Sequence, residues 1–264
     1  MILTIPPPKV ELERLKDHLG EWKEWMQKNR PMLRRLVLIS TTGVYPKKAG
    51  TWSEDARFEP DSESGIRRLL VEQELSEGFQ LQVIRPGGIY GPGRNLLERL
   101  KNGKSIPETG TPTHRIHVHD LARITRHCIQ NPHIQLINAV DDEPCPSREV
   151  VQWLLENHPE AKTLKKESPP KPKKPLLQRR ISKSRLEGLG IGLEYPSFRE
   201  GMLSALIIFG FKIPPSHQET FSPNRILDGS NIHCGFAYEW IRASAEKSDS
   251  RTEKQPSRIG SYLH

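Results

Sequence analysis

Three groups of residues in this chain carry side chains and spacings suited to chemistry. Ser40, Thr41 and Thr42 are consecutive hydroxyls that follow the apolar run Leu36 to Ile39. Hydroxyls at the end of a buried strand can donate to a substrate carbonyl, or simply satisfy the turn they begin. The segment RPGGIYGPGR, Arg85 to Arg94, holds four glycines and follows the apolar run Leu81 to Ile84. Such a turn lets backbone approach a ligand closely, or merely permits a tight loop. Arg94 at its end suits a phosphate or a helix carboxylate equally well. His114, His117, His119 and Asp120 form the third group. On a strand, His117 and His119 would share a face, one requirement for joint metal ligation. A strand-to-helix junction with Asp120 as cap accounts for them without a metal, and none is expected. Cys145 sits between Pro144 and Pro146 with no base beside it, which argues against a nucleophilic thiol.

Alternating strands and helices must hold these groups. Ile2 to Ile5 is a short apolar run that stops at Pro6 to Pro8. Leu12, Leu15, Leu19, Trp22 and Met26 fall at steps of three and four, one face of a helix. A second helix carries Ile66, Leu69, Leu70 and Leu75 and stops at Gly78. Further on, the pattern predicts a helix around Leu96 to Leu100, a strand from Arg115 to Val118, and a helix from Leu121 to Ile129. A strand from Gln135 to Val140 and a helix from Ser147 to about Leu155 follow. A small helix after Ser182 and a last one reaching about Phe209 complete the pattern. This alternation predicts an α/β fold with a mainly parallel sheet, whose ligands sit beyond the carboxyl ends of the strands. Pro6–Pro8, Ser40–Thr42 and Pro86–Tyr90 fall at three such ends.

The chain has 264 residues, 34% hydrophobic and 27% charged, enough for one large domain or two small ones. No run approaches the ~18 apolar residues of a membrane span, and no secretory signal opens the chain. Three widely spaced cysteines exclude a disulfide framework, so a reducing, cytoplasmic compartment is expected. The net charge of +8 is local: Lys162 to Arg185 holds seven Lys and three Arg against Glu167 alone. The rest of the chain is close to neutral, and no aromatic interleaves the basic run to stack on bases. A solvated, mobile basic loop is expected from Lys162 to Pro175, with no nucleic acid as partner. Residues 213–264 lose apolar periodicity and read as a disordered tail.

In order along the chain, LVLISTTGVY (Leu36–Tyr45), Glu54 after Trp52, Pro60, RPGGIYGPGR, IHVHDLA (Ile116–Ala122) and INAVDDEP (Ile137–Pro144) resemble one family. It is the extended short-chain dehydrogenases/reductases, which include the NAD-dependent epimerases and dehydratases of nucleotide-sugars. The resemblance spans about residues 1 to 155 and continues from Ser184 to Met202; it is nearest to an atypical epimerase-like branch of the YeeZ type. It implies a partial Rossmann-like, doubly wound domain over residues 1–212, with substrate-side pieces at about 87–115 and 141–212. The implied cofactor is NAD or NADP, and the implied substrate a nucleotide-sugar or other small carbonyl compound. Pro6, Pro7, Ser40, Thr42, Pro86, Gly87, Gly88 and Ile89 match cofactor-side positions, Tyr90 and Arg94 substrate-side ones. Thr41, Ser64 and Arg68 match the catalytic hydroxyl, Tyr and Lys.

Two departures limit what the resemblance implies. Family members open with a strand and a glycine-rich turn that presents N–H groups to the cofactor pyrophosphate. Here Met1 to Ile5 resembles the family's fourth strand instead, so a chain shortened at its front is expected. Its unpaired sheet edge would favour a homo-oligomer. The family's acid/base is a Tyr whose pKa the Lys lowers; a serine at position 64 titrates far above the phenol's ~10, and Arg68 cannot relay a proton. Two readings stand: an NAD(P)-dependent oxidoreductase or epimerase-type protein, or a non-catalytic dinucleotide-fold binding or regulatory protein, an inactive fragment included.

Overall fold

The computed structural model describes residues 1–208 except 5, 105, 107–110, 159–160 and 162–177. The expected tail at 213–264, the basic loop from Lys162 to Pro175 and the end of the last helix at Phe209 lie outside the described residues.

The run from Leu36 to Ile39 has no polar position, as a strand covered on both faces requires. It forms β2 (Arg35–Ile39), which pairs in parallel with β1 (Ile2–Leu3) and with β4 (Gln80–Pro86). β4 pairs in turn with β7 (Leu136–Ala139), giving the all-parallel order β1-β2-β4-β7. Leu36 faces Leu81 and Ile39 faces Ile84, so β2 ends opposite Ile84 and β4 runs two residues past it, to Pro86. Two small parallel pairs complete the strands: β3 (Gly50–Trp52) with β8 (Arg179–Ile181), and β5 (Gly88–Tyr90) with β6 (Arg115–His117).

Parallel neighbours need crossovers, and helices supply them. α1 (Leu12–Asn29) links β1 to β2, and α2 (Glu63–Ser76) lies between β2 and β4. Side chains alternate along β2, so Leu36 and Leu38 pack with Leu15, Trp22 and Leu75 of these two helices. Val37 belongs to the opposite cluster, with Ile84, Ile137 and Ile124 of α4 (Val118–Gln130). Each such side chain contributes about 1.5–3 kcal/mol by leaving water. This is a doubly wound α/β layer. A second core lies beyond β5, where α3 (Leu96–Lys101), α5 (Ser147–Asn157) and α7 (Phe198–Ile208) gather Tyr90, Leu97, Leu154 and Phe198. The short helix α6 (Ser184–Gly188) places Leu186 in the first core.

One sequence expectation is corrected here. α4 begins at Val118, not Leu121, and His117 is its N-cap, with Nδ1 accepting the His119 N–H at 3.3 Å. His117 and His119 therefore do not alternate along one strand. Asp120 lies inside the first turn, 1% exposed, and serves a different end. Its carboxylate accepts the N–H groups of Glu194 (2.8 Å) and Tyr195 (2.9 Å) and pairs with Arg123.

Candidate functional site

The hydroxyl cluster turns sharply after β2. Residues Thr42–Val44 make one 3-10 turn capped by Thr41, whose Oγ1 accepts the Gly43 N–H at 3.0 Å. Thr42 Oγ1 donates to the Pro86 carbonyl at 3.2 Å and so joins the turn to the end of β4. Ser40 donates to the Glu72 carboxylate. Ser40 and Thr42 have thus committed their protons, whereas the Thr41 O–H has no acceptor among the described residues. Thr41 is also half-buried rather than sealed, which makes it the hydroxyl free to meet a carbonyl.

α2 presses its N-terminus against the same turn. Ser62 caps it, accepting the Gly65 N–H at 3.2 Å, and a Cβ on Gly65 would stand 2.8 Å from the Gly43 carbonyl oxygen. Only glycine allows that approach. Ser64, one residue earlier, is exposed at this junction, and Arg68 is buried one turn on, close to Glu72. Burial lowers the Arg68 pKa and Glu72 opposes the change; the side chain remains a cation that cannot relay protons.

A buried polar network under the turn escaped the sequence reading. Arg85, at the end of β4, donates to both Glu72 oxygens, the shortest at 2.6 Å, and to the Tyr45 hydroxyl at 2.9 Å. The Tyr45 O–H donates to Asn138 Oδ1 at 2.9 Å, and Glu54 accepts the Asn138 N–H at 2.8 Å. Burial pushes the Tyr45 phenol above its ordinary value although Arg85 opposes the shift. Tyr45 is therefore a structural donor near neutral pH, not a phenolate base. A signal existed: Glu72 stands between Val71 and Leu75 on the inner face of an amphipathic helix, where a charge needs a partner.

Of the remaining expected site residues, Pro86 is buried, Gly87 and Ile89 are half-buried, and Gly88 is exposed. Pro6 is exposed and Pro7 half-buried at the end of β1. Tyr90 is not brought to this face: it is buried in the second core, donating to the Ser197 carbonyl at 3.1 Å. Burial, with Asp141, Asp120 and Glu200 nearby, drives its pKa far upward. Arg94 closes a tight turn, with N–H to carbonyl bonds both ways to Gly91, and its side chain is exposed. Cys145 is buried, and burial and Glu149 push its thiol up to about 12.

For a dinucleotide, the residues present fit one half only. Thr41 offers a free hydroxyl donor, and the exposed Gly88 leaves bare backbone two residues past Pro86, whose carbonyl Thr42 binds. The pyrophosphate half finds no such fit among the described residues. Pro6 and Pro7 have no N–H to give, and the N-terminus of α1 carries Glu11 and Glu13. No reaction step is therefore assigned to a bound cofactor.

Beside the site, a second buried group titrates. Burial lowers His114 and His117 to about 4 each, and raises Asp141 to about 7. His114 Nδ1 lies 3.8 Å from Asp141 Oδ1, but a neutral imidazole makes this no ion pair near pH 7. The histidines have folded pKa values below the unfolded 6.5, so their contribution is full above pH 6.5 and is lost as pH falls towards 4. Asp141 has a folded value above the unfolded 3.8, so its contribution is full below 3.8 and is lost as pH rises through 7. The two effects oppose each other in one window. Asp141→Asn should steepen the loss of stability from pH 7 to 4 by about 1–3 kcal/mol, read from melting temperatures across that range. A slope identical to the parent's would contradict these assignments.

No protein-family model and no curated protein matches this chain. Solved structures do. A functionally unknown conserved protein from Silicibacter pomeroyi is 28% identical over 72% of this chain and 72% of its own, with a TM-score of 0.60. A protein provisionally described as an NAD-dependent epimerase/dehydratase, from Methylobacillus flagellatus, is 24% identical over 79% of this chain and 76% of its own, with a TM-score of 0.57. A UDP-glucose 4-epimerase from Thermotoga maritima, solved with UDP-glucose, is 16% identical over the same shares, with a TM-score of 0.58. The chain thus has the Rossmann-like α/β fold that these epimerase/dehydratase structures share.

Proposed function

We propose that this chain is an NAD(P)-binding, epimerase- or reductase-like protein of the short-chain dehydrogenase/reductase superfamily, nearest its YeeZ-type branch, that recognises a carbonyl compound such as a nucleotide-sugar. The observation that carries the reading is the joining of two strand-end loops by the Thr42–Pro86 bond, with the Thr41 hydroxyl uncommitted at the junction. Support comes from similar folds solved with such ligands, among them a UDP-glucuronic acid 4-epimerase from Bacillus cereus in complex with NAD. In this chain Thr41 orients the carbonyl by donating to its oxygen, and the Arg85–Glu72 network holds the floor beneath. The family's Tyr–Lys relay is not used: Ser64 stands at the Tyr position, and the Tyr45 and Tyr90 phenols are buried and raised.

A second reading, a binding protein without turnover, is favoured by the serine at position 64 and by the raised, buried phenols of Tyr45 and Tyr90. Assays of NADH and NADPH oxidation with UDP-sugars and simple aldehydes separate the two. Turnover that Thr41→Ala reduces about 100-fold and Ser64→Ala leaves unchanged supports the enzyme. Saturable cofactor binding with no turnover supports the binding protein, and turnover abolished by Ser64→Ala overturns both. A homo-oligomer belongs to the same proposal, because the outer side of β1 pairs with no strand among the described residues. Sedimentation velocity should show a dimer or larger species as concentration rises; a monomer throughout would count against it.

A further inference from the structure

We infer that Arg179, about 135 residues downstream of the hydroxyl turn, is the residue that positions it. The Arg179 guanidinium spans three main-chain carbonyls of that turn and its exit. Nε donates to Pro46 at 2.9 Å, while Nη2 donates to Thr42 at 3.1 Å and Tyr45 at 3.2 Å. The Thr42 carbonyl also accepts the Tyr45 N–H at 3.2 Å, the bond that closes the turn. Arg179 therefore grips the closing bond from outside. On the inside of the same turn lie the Thr41 and Thr42 hydroxyls, one free and one bonded to Pro86.

The grip is useful only if its own base is fixed, and it is. β8 is paired with β3, Gly50 opposite Arg179 and Trp52 opposite Ile181. Gly50 N–H donates to the Gln178 carbonyl and Ser182 N–H to the Trp52 carbonyl, each at 2.8 Å. Ile181 N–H donates to His114 Nε2 at 2.9 Å, and Asn138 Nδ2 donates to the Ser182 carbonyl at 3.0 Å. The strand is thus pinned to β3, to the residue before β6 and to β7. A planar, multiply donating fork suits three carbonyls at one place, and an ammonium does not. Arg179 touches no proposed ligand; it acts through the turn.

The inference concerns the turn itself, and only its consequence for a cofactor rests on the function proposed above. Two arms keep those apart. In the full-length chain, amide hydrogen exchange is compared between Val44 and Tyr45, which close the turn, and the strands β2 and β4. Arg179→Met should accelerate the turn amides about tenfold with the strand amides unchanged, the cost of losing a charged donor locally. Arg179→Lys, which keeps the charge and can hold one carbonyl, should give a smaller acceleration of the same amides; it also serves if the Met variant does not fold. Unchanged turn exchange in both variants would overturn the inference. So would equal acceleration of strand and turn amides, which marks a general buttress. The second arm titrates NADH: Arg179→Met should weaken binding about tenfold, and adding Thr41→Ala should weaken it little further. If NADH binds equally well to Arg179→Met, the turn is not a cofactor contact and the proposed function fails, while the exchange result still decides the role of Arg179.

Discussion

Arg85→Met is expected to lower the unfolding free energy by about 3–5 kcal/mol, the cost of breaking a buried ion pair from one side. Arg85 is 5% exposed and Glu72 6%, so the pair is shielded from water and the carboxylate left behind would stay buried. The loss spreads because the network is shared. Ser40 would still donate to Glu72, but the Tyr45 hydroxyl would lose the 2.9 Å donor that orients it towards Asn138. Removing both charges, Arg85→Met with Glu72→Leu, should recover much of the stability, because two desolvation costs vanish together. Denaturant unfolding measures both variants. A single-variant loss under about 1 kcal/mol would mean that the pair is more hydrated than its burial indicates.

Gly87→Ala and Gly88→Ala, adjacent changes of one methyl each, should behave oppositely. A Cβ at Gly87 would stand 2.7 Å from the His114 carbonyl oxygen and 2.9 Å from its carbon, both backbone atoms held by the β5–β6 pairing. Backbone of that kind cannot step aside cheaply, so the expected loss is about 3 kcal/mol, with the β5–β6 pairing disrupted. A Cβ at Gly88 would meet nothing closer than 3.6 Å, and the substitution should stay within about 0.5 kcal/mol of the parent. Neither glycine has a positive φ, so backbone strain does not blur the comparison. Equal melting temperatures for the two variants would contradict the packing described for this strand end.

Much of the fold was legible because its strands are buried on both faces. Leu36 to Ile39 and Leu81 to Ile84 read as continuous apolar runs, and Leu15, Trp22 and Met26 do face the sheet as their spacing indicates. The strand-end hydroxyls were also legible, since three in a row after such a run have few other places to be. What pattern reasoning missed were partners distant in sequence. Asp120 reads locally as a helix cap, yet its acceptors serve amides 74 and 75 residues away. Tyr90 follows a glycine pair and reads as ligand-facing, but β5 pairs with β6 and turns it under α7. Arg179 and Arg185 count towards the basic run by composition, yet each gives guanidinium N–H groups to main-chain carbonyls. Charge counting cannot see such contacts, because the carbonyls that attract those cations belong to other parts of the chain.

The most direct test of the proposed site is a chemical-shift titration of the isotopically labelled chain with NADH. Amides of Thr41 to Val44 and of Gly87 to Ile89 should shift together and saturably, with a Kd of the order of 1 mM, weak because only the nicotinamide half finds its partners. Shifts that saturate on other residues while these amides stay still, or no saturable shift anywhere, would contradict the site.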